Sequence, residues 1–308
     1  MAVLTPEEVQ TKVQQGISLQ GAELSNINLQ GFSLDDGHFP QAYLRVANLS
    51  EASCNRADFT EAILIFATLT GISLQDAFLT EAQFTSARLD SANLMGIHGV
   101  KLKLHGAHLN QANAATAILE SVDLAEATGQ YASFRDAILI RADLSQGDFK
   151  GANFSRAKLN DANLSQGQFS EAIFAHARLE RSRFVQSNLQ KADFTGADVI
   201  GSNLEQVNLQ EAQLQQASFD HVFLGQTCMR DARLNHASFY SAHLEQVDLT
   251  GAQVEQTDFR DANLENTQLH NVDFSSAIVS GAIFTDAQGL SSEQKVLLRK
   301  RGALNVPK

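Results

Sequence analysis

The residues with the most capacity for chemistry here are carboxylates in one recurring place. Asp58, Asp123, Asp143, Asp193, Asp248 and Asp258 each stand immediately before a leucine or phenylalanine. A pair of carboxylates in one cleft can act as general acid and base. These recur throughout the chain, and a carboxylate placed by a repeat marks no particular site. Three histidines also cluster, His98, His105 and His108. A zinc site needs ligands that converge at about 2 Å from one point. On a convex coil these three would lie on successive sides and diverge, so no metal is expected. No phosphate-binding glycine loop, nucleophile elbow or H-E-x-x-H is present. Neither catalysis nor a cofactor is predicted.

The element that positions all of these residues is a five-residue period. Leu19, Leu24, Leu29, Leu34, Phe39 and Leu44 open a series that runs to Phe284 without insertion or deletion, 54 centres in steps of five. Only Cys54, Gly99, Ala114, Gly129, Val199, Met229, Val254 and Val279 replace Leu or Phe at a centre. Such a period fits neither a helix nor a strand, whose apolar faces repeat every 3.6 and 2 residues. A coil with one pentapeptide per side fits it. The centre and the residue two before it, usually alanine, then point inward and the other three face water, so large and small core residues alternate. Phenylalanines recur at four times the unit length, in Phe134, Phe154, Phe174 and Phe194 and in Phe219, Phe239 and Phe259. That recurrence predicts four sides. Cys54 is then inward and Cys228 outward and far along the chain, which makes a disulfide between them implausible.

Runs such as Ala142-Asp143-Leu144-Ser145-Gln146, Ala152-Asn153-Phe154-Ser155-Arg156 and Ala162-Asn163-Leu164-Ser165-Gln166 carry the pattern A-(D/N)-L-x-x. The chain resembles the pentapeptide repeat family, and the resemblance covers most of it. It implies an all-β fold, a right-handed quadrilateral β-helix, here of about 13 coils and roughly 65 Å long at a spacing of about 4.8 Å. The expected organisation is a capping helix over 1–16, the β-helix over 17–288, and a C-terminal helix and tail over 289–308. Thr5-Pro6-Glu7-Glu8 reads as an N-cap, a proline at N1 and a capping box, with Val9 and Val13 on one face and Gly16 as the stop. At the other end Ser291-Ser292-Glu293-Gln294 opens a helix whose apolar side would be Val296, Leu297 and Leu298, followed by Gly302. Those three residues serve as a cap, with homodimer contact as the alternative. A solenoid grows in one dimension and no linker interrupts it, so one domain is expected.

Net charge is −12, and the body from 17 to 288 holds 32 acidic and 17 basic residues, while the tail is basic. Some family members resemble B-form DNA and bind type II topoisomerases, so the resemblance implies a gyrase-directed DNA mimic as the alternative function. Against it, the four sides carry nets of about −4, −5, −3 and −3, with no concentrated acidic stripe. Direct nucleic-acid binding is not expected of so acidic a body. No charged and then apolar leader precedes Thr5 and no apolar run approaches 18 residues, so no membrane association is expected and the cytoplasm is the default location. The opening stretch, Thr5 to Val9 and Gly16 to Gly21, is similar to the segment that begins pentapeptide arrays found beside bacterial type VI secretion components. That similarity implies an accessory or adaptor of such machinery.

Surface recognition of a protein partner is the leading expectation. On one side the outward position reads Phe78, His98, Ile118 and Ile138 in consecutive coils, with Val100 and Ile140 beside them. An adjoining side adds Tyr43, Ile63 and Ile65, with Phe66 at the next corner. A stacked apolar row forms a contiguous patch of the kind that marks a partner site. Gly99, Ala114 and Gly129 fall in the same stretch, and a bend or narrowed waist is expected there unless Leu102 or Ile97 fills the core. The inward and outward assignment has a direct test in stability. Phe154→Ala should destabilise by about 3–5 kcal/mol through a cavity, and Ser155→Ala by no more than about 0.5 kcal/mol. Equal shifts of the two denaturation midpoints would mean that the assignment is wrong.

Overall fold

Two inward residues in every five leave the backbone to be hydrogen-bonded between coils, and this is what the structure, a computed structural model describing residues 4–308, contains. The chain divides into two compact units, Met1–Lys158 and Leu159–Lys308. Within each, the sides contribute short parallel bridges to the residue 20 positions on, with one gap in the second unit above Gln253. These run from Glu23↔Tyr43 to Ile138↔Lys158 in the first unit, and from Asn163↔Arg183 in the second. In the ladder, Leu24 N–H donates to Tyr43 O at 2.7 Å and Tyr43 N–H to Ala22 O at 2.9 Å. The four-sided coil expected from the phenylalanine spacing is therefore present in both units.

The corners are type II turns. Three residues past each centre an N–H closes the turn onto the centre's carbonyl, as from Ala62 to Phe59 O at 2.9 Å. The third residue of each turn has positive φ, as at Arg56 (56°) and Glu61 (57°), which defines the type. From Gly21 to Asp286 every such corner residue is left-handed except Ser276. The recurring Asp and Asn before each centre brace these corners. Asp58 Oδ1 accepts from Thr60 N at 2.9 Å, Asp193 Oδ1 from Thr195 N at 2.8 Å and Asp248 Oδ1 from Thr250 N at 3.0 Å. Each carboxylate is thus engaged by its own turn.

The cores are built from Leu and Phe centres facing Ala, and both kinds of position are buried. Phenylalanines one coil apart lie face to face, Phe39 on Phe59 at 4.9 Å and Phe134 on Phe154 at 5.1 Å in the first unit. In the second, Phe219 lies on Phe239 at 5.1 Å. Cys54 is fully buried, with its thiol pushed well up by that burial, and Cys228 is half-buried. In the second unit some inward alanines are replaced by hydroxyl residues, which bond the turn below. Ser202 Oγ donates to Leu179 O and Thr227 Oγ1 to Leu204 O, each at 2.6 Å.

No waist forms at the small centres, and the expectation of one is corrected. The ladder bonds from Gly99 N, Ala114 N and Gly129 N are 2.8, 2.7 and 2.7 Å, as elsewhere. Neighbouring side chains take the vacated volume. A Cβ on Gly99 would lie 3.1 Å from both Leu102 Cδ2 and Leu119 Cδ2, and one on Gly129 would lie 2.6 Å from the Phe149 ring.

Helix α1 spans Pro6–Gln14, with Thr5 as N-cap, a complete capping box with Glu8, and Val9 buried. Helix α2 spans Ser292–Lys300, capped by Ser291 with Gln294 as the reciprocal partner, and Gly302 beyond it has φ 85°. Of its expected apolar trio only Leu298 is fully buried. Leu297 is half-buried and Val296 is 47% exposed, because a nine-residue helix lying across a narrow coil presents one residue per turn to it. After α2 the chain returns as a ladder strand, with Leu304 N bonding Ala282 O at 2.7 Å and Phe284 N bonding Leu304 O at 2.9 Å. Among the described residues no helix is long and apolar enough to cross a membrane.

The packing at Gly129 makes a prediction. Gly129→Ala should destabilise by about 1–3 kcal/mol through overpacking against Phe149. Combined with Phe149→Leu it should cost less than the two single changes added together. Strict additivity of the denaturant midpoints would show that Phe149 does not fill the space at Gly129.

Candidate functional site

The apolar stripe is assembled by the ladder itself. Phe78 bridges His98, His98 bridges Ile118 and Ile118 bridges Ile138, so the four side chains stand in one column on one side of the first unit. The Phe78 and His98 rings stack with centroids 5.2 Å apart. Below them Asp58 pairs with His38 at 3.1 Å, and above them Ile138 bridges Lys158, so the column is bounded by charged groups at both ends. Its exposure is less even than the sequence suggested. Phe78 is 47% exposed and His98 is exposed, whereas Ile118, Ile138, Val100 and Ile140 are half-buried by contact with the coils above and below.

The second group lies on the next side. Tyr43 bridges Ile63, with Tyr43 exposed and Ile63 and Ile65 half-buried. Phe66, at the following corner, is 61% exposed. The two groups do not merge, because a polar corner separates them. Along it Gln41 Nε2 donates to Glu61 at 3.1 Å and Lys101 pairs with Glu81 at 3.0 Å.

The sequence reading missed Val46. It occupies the corner one coil below Phe66 and is 54% exposed, and both residues are left-handed, with φ of 57° and 59°. A β-branched or aromatic residue in that conformation is strained, since glycine or asparagine would occupy it at lower energy. Two such residues in adjacent coils hold large apolar side chains out in solvent. The signal was available in the five-residue register, had the corner been recognised as left-handed.

Several charges on the corners are paired with the coil above or below. Arg56 grips Asp36 through two bonds of 2.8 and 2.7 Å, and Arg156 grips Asp136 through two of 2.7 Å. In the second unit Arg181 holds Asp161 likewise, at 2.7 and 2.9 Å. The hydrogen-bonded guanidinium holds the carboxyls of Asp36 and Asp136 below their ordinary range. The histidines His98, His105 and His108 do not converge. His105 faces Asp123 and Glu126 at 3.7 and 3.9 Å, His108 meets Thr128 at 3.2 Å, and His98 stacks on Phe78. Among the described residues no group of three or more His, Cys, Asp or Glu could hold a metal ion.

The repeat pattern is matched by two family models. Pentapeptide repeats (8 copies) matches residues 17–65, 41–76, 62–98, 227–266 and 248–286, and Pentapeptide repeat region matches 132–214. The chain belongs to the pentapeptide repeat family. Among solved structures it is similar to a trypsin-treated form of QnrB1, a plasmid-mediated fluoroquinolone resistance protein. The identity is 22% over 53% of this chain and 89% of that one, with a TM-score of 0.47. It is also similar to HetL, a pentapeptide repeat protein involved in heterocyst differentiation regulation in the cyanobacterium Nostoc, at 22% identity over 92% and 94% of the two chains and a TM-score of 0.23. A third is a pentapeptide repeat protein of the Arabidopsis thaliana thylakoid lumen, at 22% identity over 52% and 78% and a TM-score of 0.17. None of these likenesses carries an argument about partners. No curated protein matches the chain.

Strain at the exposed corner is measurable. Val46→Gly should raise stability by about 1 kcal/mol by relieving the left-handed conformation. A lower denaturation midpoint in the variant would mean that Val46 is held by packing instead.

Proposed function

We propose that this protein is a non-enzymatic scaffold that binds a protein partner through the apolar surface of its first unit. The observation that supports this reading is the column Phe78, His98, Ile118 and Ile138, held in register by consecutive bridges. Val100 and Ile140 widen it, and Ile63, Ile65 and Phe66 form a second contact area across the polar corner. Aromatic and aliphatic side chains pre-ordered by a rigid ladder lose little conformational freedom on binding, which favours affinity. The partner would present an apolar face to the column and charged groups to its ends, at Asp58 and Lys158. The reading places the protein in the cytoplasm. The half-exposed end of α2 at Val296 is where a homodimer contact would form, with Leu297 and Leu298 engaged in the cap.

The alternative, a DNA mimic that modulates a type II topoisomerase, draws on the acidic excess of 32 to 17 in the body. Arginines one coil away neutralise Asp36, Asp136 and Asp161, which interrupts the row of negative charge such mimicry needs. The adaptor role in a type VI secretion system rests on the opening stretch. There Thr5 and Glu8 complete a capping box and Gly16 turns the chain out of α1, so helix capping alone accounts for those residues.

The test immobilises the intact protein and compares what it retains from bacterial lysate with what is retained by Ile118→Glu/Ile138→Glu and by Gln168→Glu, an outward change in the second unit. A partner held by the wild type and by Gln168→Glu and lost from the double variant is the expected result. Identical proteins on all three would sink the proposal, and a topoisomerase among them would favour the alternative.

A further inference from the structure

One rung of the second unit's ladder is open. Leu234 N and Gln253 N make their bonds, to Gln253 O at 2.8 Å and Ala232 O at 2.9 Å, so the strand through Gln253 is paired below. Above it, the bridge from Gln253 to Asp273 that the spacing demands is absent, although the preceding and following sides keep theirs, Asp248↔Gln268 and Asp258↔Ile278. Among the described residues Val254 N–H and Asp273 N–H have no hydrogen-bond acceptor, and the two bonds that would join residue 273 to Ala252 O and Val254 N are unmade.

Two features explain the opening. Ser276 alone among the corners lacks positive φ, yet its turn still closes from Ala277 N to Phe274 O at 3.2 Å. Leaving the left-handed region turns the peptide between Ser275 and Ser276 over, so the Ser275 carbonyl no longer meets Gln256 N. The Ser276 hydroxyl takes its place, accepting from Gln256 N at 3.2 Å. From above, α2 and the Arg301 that follows it hold the segment. Gln294 Nε2 donates to Val272 O at 2.5 Å, and Arg301 donates to Phe274 O and Ala277 O at 3.5 and 3.2 Å.

The result is a cleft of about 510 Å³. It is floored by Ala252 and Val254 and walled by Glu255 and Asp273, with no basic side chain lining it. Asp273 keeps both carboxylate oxygens on Ser275, at 2.8 Å to its N–H and 2.9 Å to its hydroxyl, and Glu255 makes no ion pair among the described residues. An unpaired donor and acceptor at strand spacing are complementary to an extended backbone, the mode by which peptides add to open sheet edges. Two carboxylates without a cation select the side chain such a backbone should carry.

We infer that this cleft binds an extended peptide segment bearing lysine or arginine, its backbone bonding the open rung at Ala252, Val254 and Asp273 and its cationic side chain meeting Glu255 and Asp273. The test is an anisotropy titration of the full chain with a fluorescein-labelled, end-blocked peptide Lys-Val-Lys-Val-Lys. Binding should weaken about tenfold or more in Glu255→Gln/Asp273→Asn. It should weaken as much in Ser276→Gly, where the corner can return to the left-handed turn and close the rung. Glu126→Gln, the removal of one carboxylate from the first unit, should leave it unaltered. Hydrogen exchange of the fragment spanning 252–256 should slow when the peptide is added, a readout that charge alone does not move. A backbone N-methylated peptide of the same charge should bind at least about tenfold more weakly. If it bound as well, or if Glu126→Gln cost as much as the cleft variants, the attraction would be that of an acidic surface and the site would not exist. The absence of binding, or an unchanged affinity in Ser276→Gly that folds normally, would overturn the proposal equally.

Discussion

A left-handed residue at every fifth position is the constraint on which the rest of this structure depends. It turns the backbone through a corner after three extended residues, and it aims the corner carbonyl at the amide of the neighbouring coil. Arg56, with φ 56°, both closes the turn after Cys54 and donates from its own amide to Gln75 O at 2.8 Å. L-residues favour that conformation little, and most of these corners are not glycine. They are held there because the corners are bonded on both sides by the ladder and, where an Asp or Asn precedes the centre as at Asp58, Asp193 and Asp248, braced by its side chain. The strain is distributed over many corners and offset by many equivalent bonds.

Stacking in register then makes residues 20 positions apart into neighbours, whatever their type. That single relation produces the phenylalanine columns inside, the Asp36–Arg56 and Asp136–Arg156 pairs at corners, and the chain of amides from Gln166 through Gln186 and Gln206 to Gln226. Each pair is exposed and small in free energy by itself. Repetition along a column is what lets such small terms discourage a slip in register, since a one-residue shift would also turn every inward residue outward.

Much of this was legible in the sequence because it depends on spacing alone. The period assigned the inward residues, the phenylalanine interval gave the number of sides, and Thr5-Pro6-Glu7-Glu8 and Ser291 to Gln294 marked both helices within a residue. What remained hidden depends on conformation or on a neighbour one coil away. Nothing in the composition of the repeat announces that its Asp serves the corner amide, or that Phe149 would fill the space left by Gly129, whereas Leu102 beside Gly99 was legible as a filler. The stripe was visible as a column, but not the half-burial of Ile118 and Ile138. The open rung had no local signature at all. Val272-Asp273-Phe274-Ser275-Ser276 is a regular repeat unit by type, and what sets it apart is the corner conformation of Ser276 and the bonds from Gln294 in α2 and from Arg301 just beyond it.

Function in such a scaffold should be sought where a residue departs from the repeat at a cost. The core uses two residues in five and the turn tolerates many residue types, so most outward positions drift freely and an apolar residue there proves little. A residue that lowers stability is different, because neutral substitution tends to replace it unless something retains it. Val46 and Phe66 hold large apolar groups in a left-handed corner that glycine would occupy with less strain, and they do so in adjacent coils beside Tyr43 and Ile63. The column at Phe78 carries no such conformational cost, but it does carry the desolvation that stacked apolar groups would gain on meeting a partner. The unmade rung beside Asp273 leaves backbone groups unbonded between two coils whose neighbouring sides keep their bridges. The first two lie at different places on the first unit and the third lies in the second unit, so a single partner need not explain them. Under the proposed reading, one repeat would present separate surfaces to separate ligands.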